Sequence, residues 1–477
     1  MTVDAIKFGT DGWRGVIGAE FTFDRLLMVA PIAAAVLADT YGAKTGNRTI
    51  IVGFDRRFMA ETFANRMAEA VRLAGFDVVL SETFAPTPAF SWAAHSQDAL
   101  GALVITASHN PGAYLGLKVK GNFGGSVSPE VTKQIEARLG ETLPTSQPGT
   151  LTTFDPWASY CDGLREKVDL ASIQQAIASG KLTVFADVMN GAASTGLGRL
   201  LGLPITELNS KTDPLFGGGA PEPLPKYLSQ LMRVIRSHSH ESGIRVGLVF
   251  DGDCDRIAAV DGSGEFLSSQ ILIPILIEHL VKQRGFTGEI IKTVSTSNLV
   301  PRIAKLYNLP IYETPIGYKY IADRMLETQA LIGGEESGGI GYGNHIPERD
   351  ALLSALYLLE AIAKSQQDLG DLYRALEIQT DYNFKYDRVD LHLAGMDVRS
   401  KLMAELESNP FAKVANIEVR DRNLADGYKF NLVDDSWLLI RFSGTEPVLR
   451  LYCEAATIEQ VHQILAWAQD WAKSVEG

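Results

Sequence analysis

The stretch RVGLVFDGDCDR, residues 245–256, joins a short apolar run to a loop that carries an aspartate at every second position. A run of this length, ended by Asp and Gly, reads as a buried strand, and a polar loop directly after it reads as the turn of an α/β unit. The same rhythm recurs along the chain. Thr49 to Phe54 leads into Asp55-Arg56-Arg57, Ala102 to Ile105 into TASHNP, Leu182 to Ala186 into DVMNGAAS, and Glu289 to Val294 into STSN. Each loop continues into a helix-like stretch, which predicts layers of helix on sheet. Ligands gather at the carboxyl ends of strands in such sheets, so these loops are where chemistry is expected.

Working outward, the Pro, Thr, Ser and Gly cluster from Thr142 to Thr153 reads as a first linker, and the turn Asp261-Gly262-Ser263-Gly264 as a second. A third follows the apolar helix pattern Ala351 to Lys364. These boundaries predict domains at 1–148, 149–262, 263–374 and 375–477. The last differs in kind: strands at Trp437 to Phe442 and Leu449 to Cys453 and a closing helix predict an α+β domain.

With 477 residues, 46% of them hydrophobic and 21% charged, the chain has ample core for several domains. A formal net charge of −13 argues against nucleic acid or an anionic membrane as partner. Cys161, Cys254 and Cys453 are widely separated and odd in number, which argues against a disulfide framework or a cysteine metal cluster and fits a reducing, cytoplasmic setting. The start, MTVDAIKFGTDG, lacks the basic and apolar pattern of a secretory signal. The runs Leu26 to Ala38, broken by Pro31, and Ile271 to Val281, broken by Pro274 and Glu278, fall short of the roughly 20 residues that span a bilayer and read as buried helices.

Asp251, Asp253 and Asp255 follow a strand at period two, so their carboxylates are expected on one side, with Cys254 facing away. Hard oxygen donors suit Mg2+ or Ca2+. An EF-hand is disfavoured, because Arg256 stands where the loop needs Gly and Gly262 where it needs Glu. A turn capped by aspartates is the alternative, although three like charges this close repel unless something neutralises them. Ser108 in TASHNP offers a hydroxyl on a polar loop, or else merely caps a turn. A hydrolase elbow would need glycines where Thr106 and Asn110 stand. His109, its neighbour, is expected to diverge from it. Arg441, Ser443, Gly444 and Thr445 in RFSGTEP combine a guanidinium fork, two hydroxyls and open backbone, a phosphate cradle to which Arg450 can add, or a polar hairpin turn. Glu335, Glu336 and Ser337 in GGEESGG offer acceptors of the kind sugar hydroxyls require.

Taken together, FGTDGWRG at 8–15, TASHNP at 106–111, DGDCDR at 251–256, GEESGG at 334–339 and RFSGTEP at 441–447 resemble the α-D-phosphohexomutase superfamily, in order and spacing, over nearly the whole chain. The resemblance implies an α/β protein of four domains around a central cleft, three of them similar with mixed sheets, the last α+β. It makes Ser108 a phosphoserine and gives Asp251, Asp253 and Asp255 the Mg2+ together with an oxygen on Ser108. Lys118 is the first choice for proton transfer, with Arg14 and His109 beside the reacting groups. Thr10, Arg256, Gly317, Lys319, Glu335, Ser337 and Arg349 are implied to bind the sugar phosphate, and Arg441, Ser443, Gly444, Thr445 and Arg450 its non-reacting phosphate. Two departures stand out: Leu115-Gly116 where relatives often have Asn-Gly, and Asp350-Ala351 where many have Asp-Gly.

The implied activity is a phosphoglucomutase that interconverts glucose 1-phosphate and glucose 6-phosphate through phosphoserine and a hexose 1,6-bisphosphate. The string GEESGG resembles glucose-directed relatives more than the GEMSGH of dual glucose and mannose enzymes or the GEQSGH of glucosamine ones. The alternatives are a glucose 1,6-bisphosphate synthase charged by fructose 1,6-bisphosphate, phosphomannomutase activity, and a sugar-phosphate sensor, against which the intact serine, aspartate and lysine set argues. The expected partners are small-molecule sugar phosphates, for a monomer or homodimer with no nucleic acid and no membrane.

Overall fold

Ile50, Ile51 and Val52 are wholly buried, as are Leu103 and Ile105 on the neighbouring strand. Strands covered on both faces are what a sheet with helices on each side requires. The fold is that of a computed structural model, which describes residues 6–9, 12–143, 147–240, 242–443 and 447–476. Its first sheet has six strands in the order Trp13–Val16, Tyr114–Gly121, Gly101–Ile105, Thr49–Phe54, Asp77–Ser81 and Leu151–Phe154. The strands at 49–54, 77–81, 101–105 and 151–154 run parallel, while Tyr114–Gly121 returns antiparallel to Gly101–Ile105. That return pairs Lys118 with Val104, near the carboxyl end of the strand that feeds TASHNP.

The second sheet runs Phe266–Leu267, Ile257–Val260, Ile244–Phe250, Leu182–Asp187, Thr206–Leu208, and the third Ile311–Thr314, Glu289–Thr293, Ala330–Gly334, Ile340–Tyr342. The fourth is antiparallel: Lys385–His392, Val448–Ala455, Trp437–Phe442, Tyr428–Leu432, Ile417–Asn423 and Lys413–Val414. Three α/β layers followed by one α+β layer is the expected class. The chain also falls into two compact units, residues 1–291 with 317–373 and residues 292–316 with 374–477, so that the division lies inside the expected third domain.

Leu151–Phe154, just past residue 148, is a strand of the first sheet. Gly149 lets the chain approach there, since a Cβ on it would lie 2.0 Å from the Phe76 carbonyl oxygen, and Thr150 ties in by donating to Asp77. Pro31 does not break its helix, which runs Phe23–Thr45 from the cap Thr22 to the left-handed Gly46. This helix is long and apolar enough to cross a membrane, but Leu26, Val29, Ala30, Ala33 and Leu37 pack into the core of the first sheet.

Candidate active site

Ser108 follows the strand Gly101–Ile105 and takes a left-handed conformation, φ 54°, which is uncommon without glycine. It is 1% exposed, so the open loop serine expected from polarity is instead enclosed. Its N–H donates to Thr106 Oγ1 at 2.9 Å, and its hydroxyl donates to Asp251 Oδ2 at 3.1 Å. The turn also corrects the expectation for His109, whose Nδ1 lies 3.4 Å from Ser108 Oγ rather than diverging. Burial, followed by the charges of Arg256 and Arg14, holds the His109 imidazole well below its usual pKa, hence neutral.

The aspartates stand in a turn, not on the strand. After Phe250 the chain reverses through the left-handed Cys254 into Ile257–Val260, and the reversal, rather than strand period, makes the carboxylates converge. Asp251 Oδ1 accepts the N–H groups of Asp255 and Arg256 at 2.9 and 3.0 Å, so the capped-turn reading holds for that one oxygen. Asp253 Oδ2 takes the Thr87 hydroxyl at 2.6 Å and Lys118 Nζ at 2.8 Å. Asp255 Oδ2 takes Lys118 Nζ at 2.7 Å and Arg349 Nη2 at 2.8 Å. Burial, with the charges of Asp255 and Asp253, pushes Asp251 well above the usual carboxylate range. Burial acts the same way on Asp253, but Lys118, Thr87 and Arg349 outweigh it and hold that carboxyl far down.

Among the described residues, Asp253 Oδ1 and Asp255 Oδ1 are buried without a hydrogen-bond donor. One ligand oxygen from each of the three aspartates can be chosen so that all lie within 4.8 Å of one another. Buried oxygens left unmet are costly, and an all-oxygen donor set fits Mg2+. The serine loop comes so close that a Cβ on Gly252 would lie 2.4 Å from the Ser108 carbonyl oxygen.

The loop after Gly334 docks on the same turn: Arg256 bridges to Gly339, and Ile257 N–H donates to the Gly338 carbonyl at 3.0 Å. Glu335 is buried with Arg349 Nη1 at 3.9 Å, and Ser337 is half-buried on this loop. Arg14 donates to Asn110 Oδ1 at 2.7 Å. Asp350 caps the helix Ala351–Ser365 through Leu353 N–H and is engaged by Tyr160 and His345. Gly116 is held for space, as a Cβ there would meet the Trp13 and Thr106 carbonyl oxygens. Gly317 and Lys319 open the helix Tyr318–Glu327. No hydrogen bond or ion pair among the described residues ties them to the aspartates. Thr10, Gly444 and Thr445 lie outside the described residues.

In the second unit, Arg441 and Arg450 face each other across paired strands, an arrangement that repels unless an anion or acid intervenes. Arg441 Nε donates to Asp426 at 3.0 Å, and Arg450 lies 4.0 Å from Asp390. Arg399 Nε donates to the Ser443 carbonyl at 3.1 Å, a third guanidinium that sequence reading missed. It also missed Arg57, Asp55, Thr106 and Thr87, which surround Ser108 and Asp253. The position of Asp55-Arg56-Arg57 at a strand's carboxyl end was the signal that could have found two of them.

A buried hydroxyl beside carboxylates, cations and unmet oxygens is an arrangement that can serve phosphoryl transfer. Residues 5–144, 158–264, 268–378 and 398–467 match, in turn, the phosphoglucomutase/phosphomannomutase alpha/beta/alpha domains I, II and III and the C-terminal domain. A Thermococcus kodakarensis protein named phosphoglucomutase/phosphomannomutase is 30% identical, covering 96% of each chain. A Sulfurisphaera tokodaii phosphoglucosamine/phosphogalactosamine mutase is 31% identical, covering 94% of this chain and 95% of that one. A Thermus thermophilus crystal structure, provisionally assigned as a phosphomannomutase, is 31% identical with a TM-score of 0.85, covering 99% of this chain and 100% of that one. The chain belongs to the phosphoglucomutase/phosphomannomutase family of the phosphohexomutase superfamily. It is an isomerase of the phosphotransferase type.

Proposed function

We propose that the chain interconverts hexose 1- and 6-phosphates by passing phosphate through Ser108, with glucose phosphates as substrate. The observation that carries this is Ser108 Oγ at 3.1 Å from Asp251, inside a buried carboxylate cluster in which two oxygens find no donor among the described residues. Asp251, Asp253 and Asp255 would hold Mg2+, which supplies positive charge to the transferring phosphoryl oxygens.

From phosphoserine, the bond from phosphorus to Oγ breaks as phosphorus joins the free sugar hydroxyl oxygen. The proton leaves that hydroxyl, and Ser108 Oγ takes one up. The bisphosphate then turns round and returns its other phosphate by the reverse step. Lys118, held between Asp253 and Asp255, carries a proton at Nζ. His109, neutral, presents Nδ1 to Ser108 Oγ and can accept one. Glu335 and Ser337 contact sugar hydroxyls, aided by Thr10, Arg14, Arg256, Gly317, Lys319 and Arg349. Arg441, Arg450, Ser443, Gly444 and Thr445, with Arg399, form a phosphate cradle. An acidic chain with three free cysteines fits a cytoplasmic enzyme of small molecules.

The loop GEESGG favours glucose, whereas the Sulfurisphaera relative's name favours an amino sugar. Kinetics on glucose 1-phosphate, mannose 1-phosphate and glucosamine 1-phosphate, each primed with glucose 1,6-bisphosphate, separate these. A highest kcat/KM on glucosamine 1-phosphate would replace glucose in the reading. A further arm with fructose 1,6-bisphosphate as donor would expose a synthase by accumulation of glucose 1,6-bisphosphate. No product in any arm would sink the enzyme reading.

A further inference from the structure

One buried side chain, just past the end of a neighbouring strand, gathers the backbone of the loop that carries Ser108. Arg57 follows the strand Thr49–Phe54 and is 4% exposed. Its Nη2 donates to the Ser108 and Asn110 carbonyls, both at 2.6 Å. Its Nη1 donates to the Pro111 and Tyr114 carbonyls at 3.0 and 3.2 Å. Four backbone oxygens of one turn thus converge on one guanidinium. The circuit closes on the other side of the serine, because Ser108 N–H donates to Thr106 Oγ1, Thr106 donates to Asp55 Oδ2, and Asp55 accepts Arg57 N–H at 2.9 Å. Both backbone polar groups of Ser108 are therefore tied into one network.

The guanidinium lies over the Phe216 ring, 4.8 Å from its centroid. The loop before Phe216 closes on the same turn, where a Cβ on Gly112 would lie 2.2 Å from the Pro214 carbonyl oxygen. A planar fork with five donors can serve four carbonyls, whereas a lysine offers three donors from a single point. Without the fork, a non-glycine residue in the left-handed region has little to keep it there.

We propose that Arg57 is the positioning residue of the phosphate relay, fixing the left-handed turn that aims Ser108 Oγ at Asp251. The proposal rests on Ser108 being the relay. A displacement of about 1 Å at a reacting group can cost on the order of a hundredfold in rate, and Arg57 touches no reacting atom, so its loss falls on kcat.

The test uses the full chain as Arg57→Lys and Arg57→Ala, with radiolabelled glucose 1,6-bisphosphate as phosphate donor to Ser108. Arg57→Lys should label Ser108 and turn over about a hundredfold more slowly than wild type, with KM for the hexose phosphate within about threefold. Guanidinium ion added to Arg57→Ala should restore labelling at least about tenfold, a recovery that general destabilisation does not give. If Arg57→Ala fails to fold, the split between kcat and KM in Arg57→Lys decides alone. Labelling of Arg57→Lys at the wild-type rate, or a loss borne by KM, overturns the positioning role while leaving the relay intact. Failure of wild-type Ser108 to take label overturns both.

Discussion

Asp253 and Asp255 in the first unit and Glu454 in the second are all buried, yet their oxygens are treated differently. Glu454 Oε1 accepts the Ser297 hydroxyl, and Oε2 accepts Asn298 N–H, the Tyr382 hydroxyl and Trp437 Nε1–H at 3.0, 3.0 and 2.7 Å. Beside it Lys429 donates to the Val294 carbonyl at 2.8 Å and lies over the Trp437 ring, while Lys292 pairs with Glu313. That cluster satisfies its carboxylates from within and fastens residues 292–316 to the C-terminal sheet. The aspartate cluster keeps one oxygen on Asp253 and one on Asp255 without a donor among the described residues. Burial alone does not separate the two clusters; the donors that meet their oxygens do.

The largest test of this contrast is Ser108→Ala, expected to fold with an unchanged melting temperature and lose about ten-thousandfold in turnover; retained steady-state activity would remove the relay. Next, chelation should abolish activity with recovery on Mg2+ addition. Asp253→Asn should lower kcat about a hundredfold and raise the Mg2+ concentration for half-maximal rate, read from a metal titration. Glu454→Ala should do the opposite. It strands buried donors and costs about 3 kcal/mol in denaturant unfolding, while kcat per folded molecule stays within about twofold. A comparable fall in kcat would erase the distinction between the clusters.

The smallest effect concerns Lys429, whose amine is pushed down to about 7 by burial and then by the neighbouring Lys292 charge. Its charged form is the one the fold penalises. Below about pH 7 it is charged in both folded and unfolded chains, and the penalty is present in full. As pH rises from there toward the ordinary lysine value, the folded amine has lost its proton and the unfolded one has not, so stability rises. The slope is at most about 1.4 kcal/mol per pH unit. Lys429→Met should be more stable at neutral pH and flatten that rise, as melts from pH 7 to 10 would show.

Much of this was legible in the chain. Strand runs such as Thr49 to Phe54 and Trp437 to Phe442 coincide with observed strands because burial on both faces leaves a continuous apolar signature. The aspartate triplet was legible because three carboxylates at alternate positions demand an explanation. The reversal at Cys254 was not, since a left-handed turn at a non-glycine residue leaves no composition to read.

What the sequence determined by itself is the set of chemical groups and their order: one serine, three aspartates, the string RFSGTEP, and the family these spell. Tertiary structure alone decided which groups meet. Ser108 and Asp251 are 143 positions apart, and Arg57 reaches the serine turn from 51 positions away. The acceptors Arg57 serves are backbone carbonyls, which every residue carries. No residue type along the loop announces which arginine will hold it, and only the packing of the strands settles that choice.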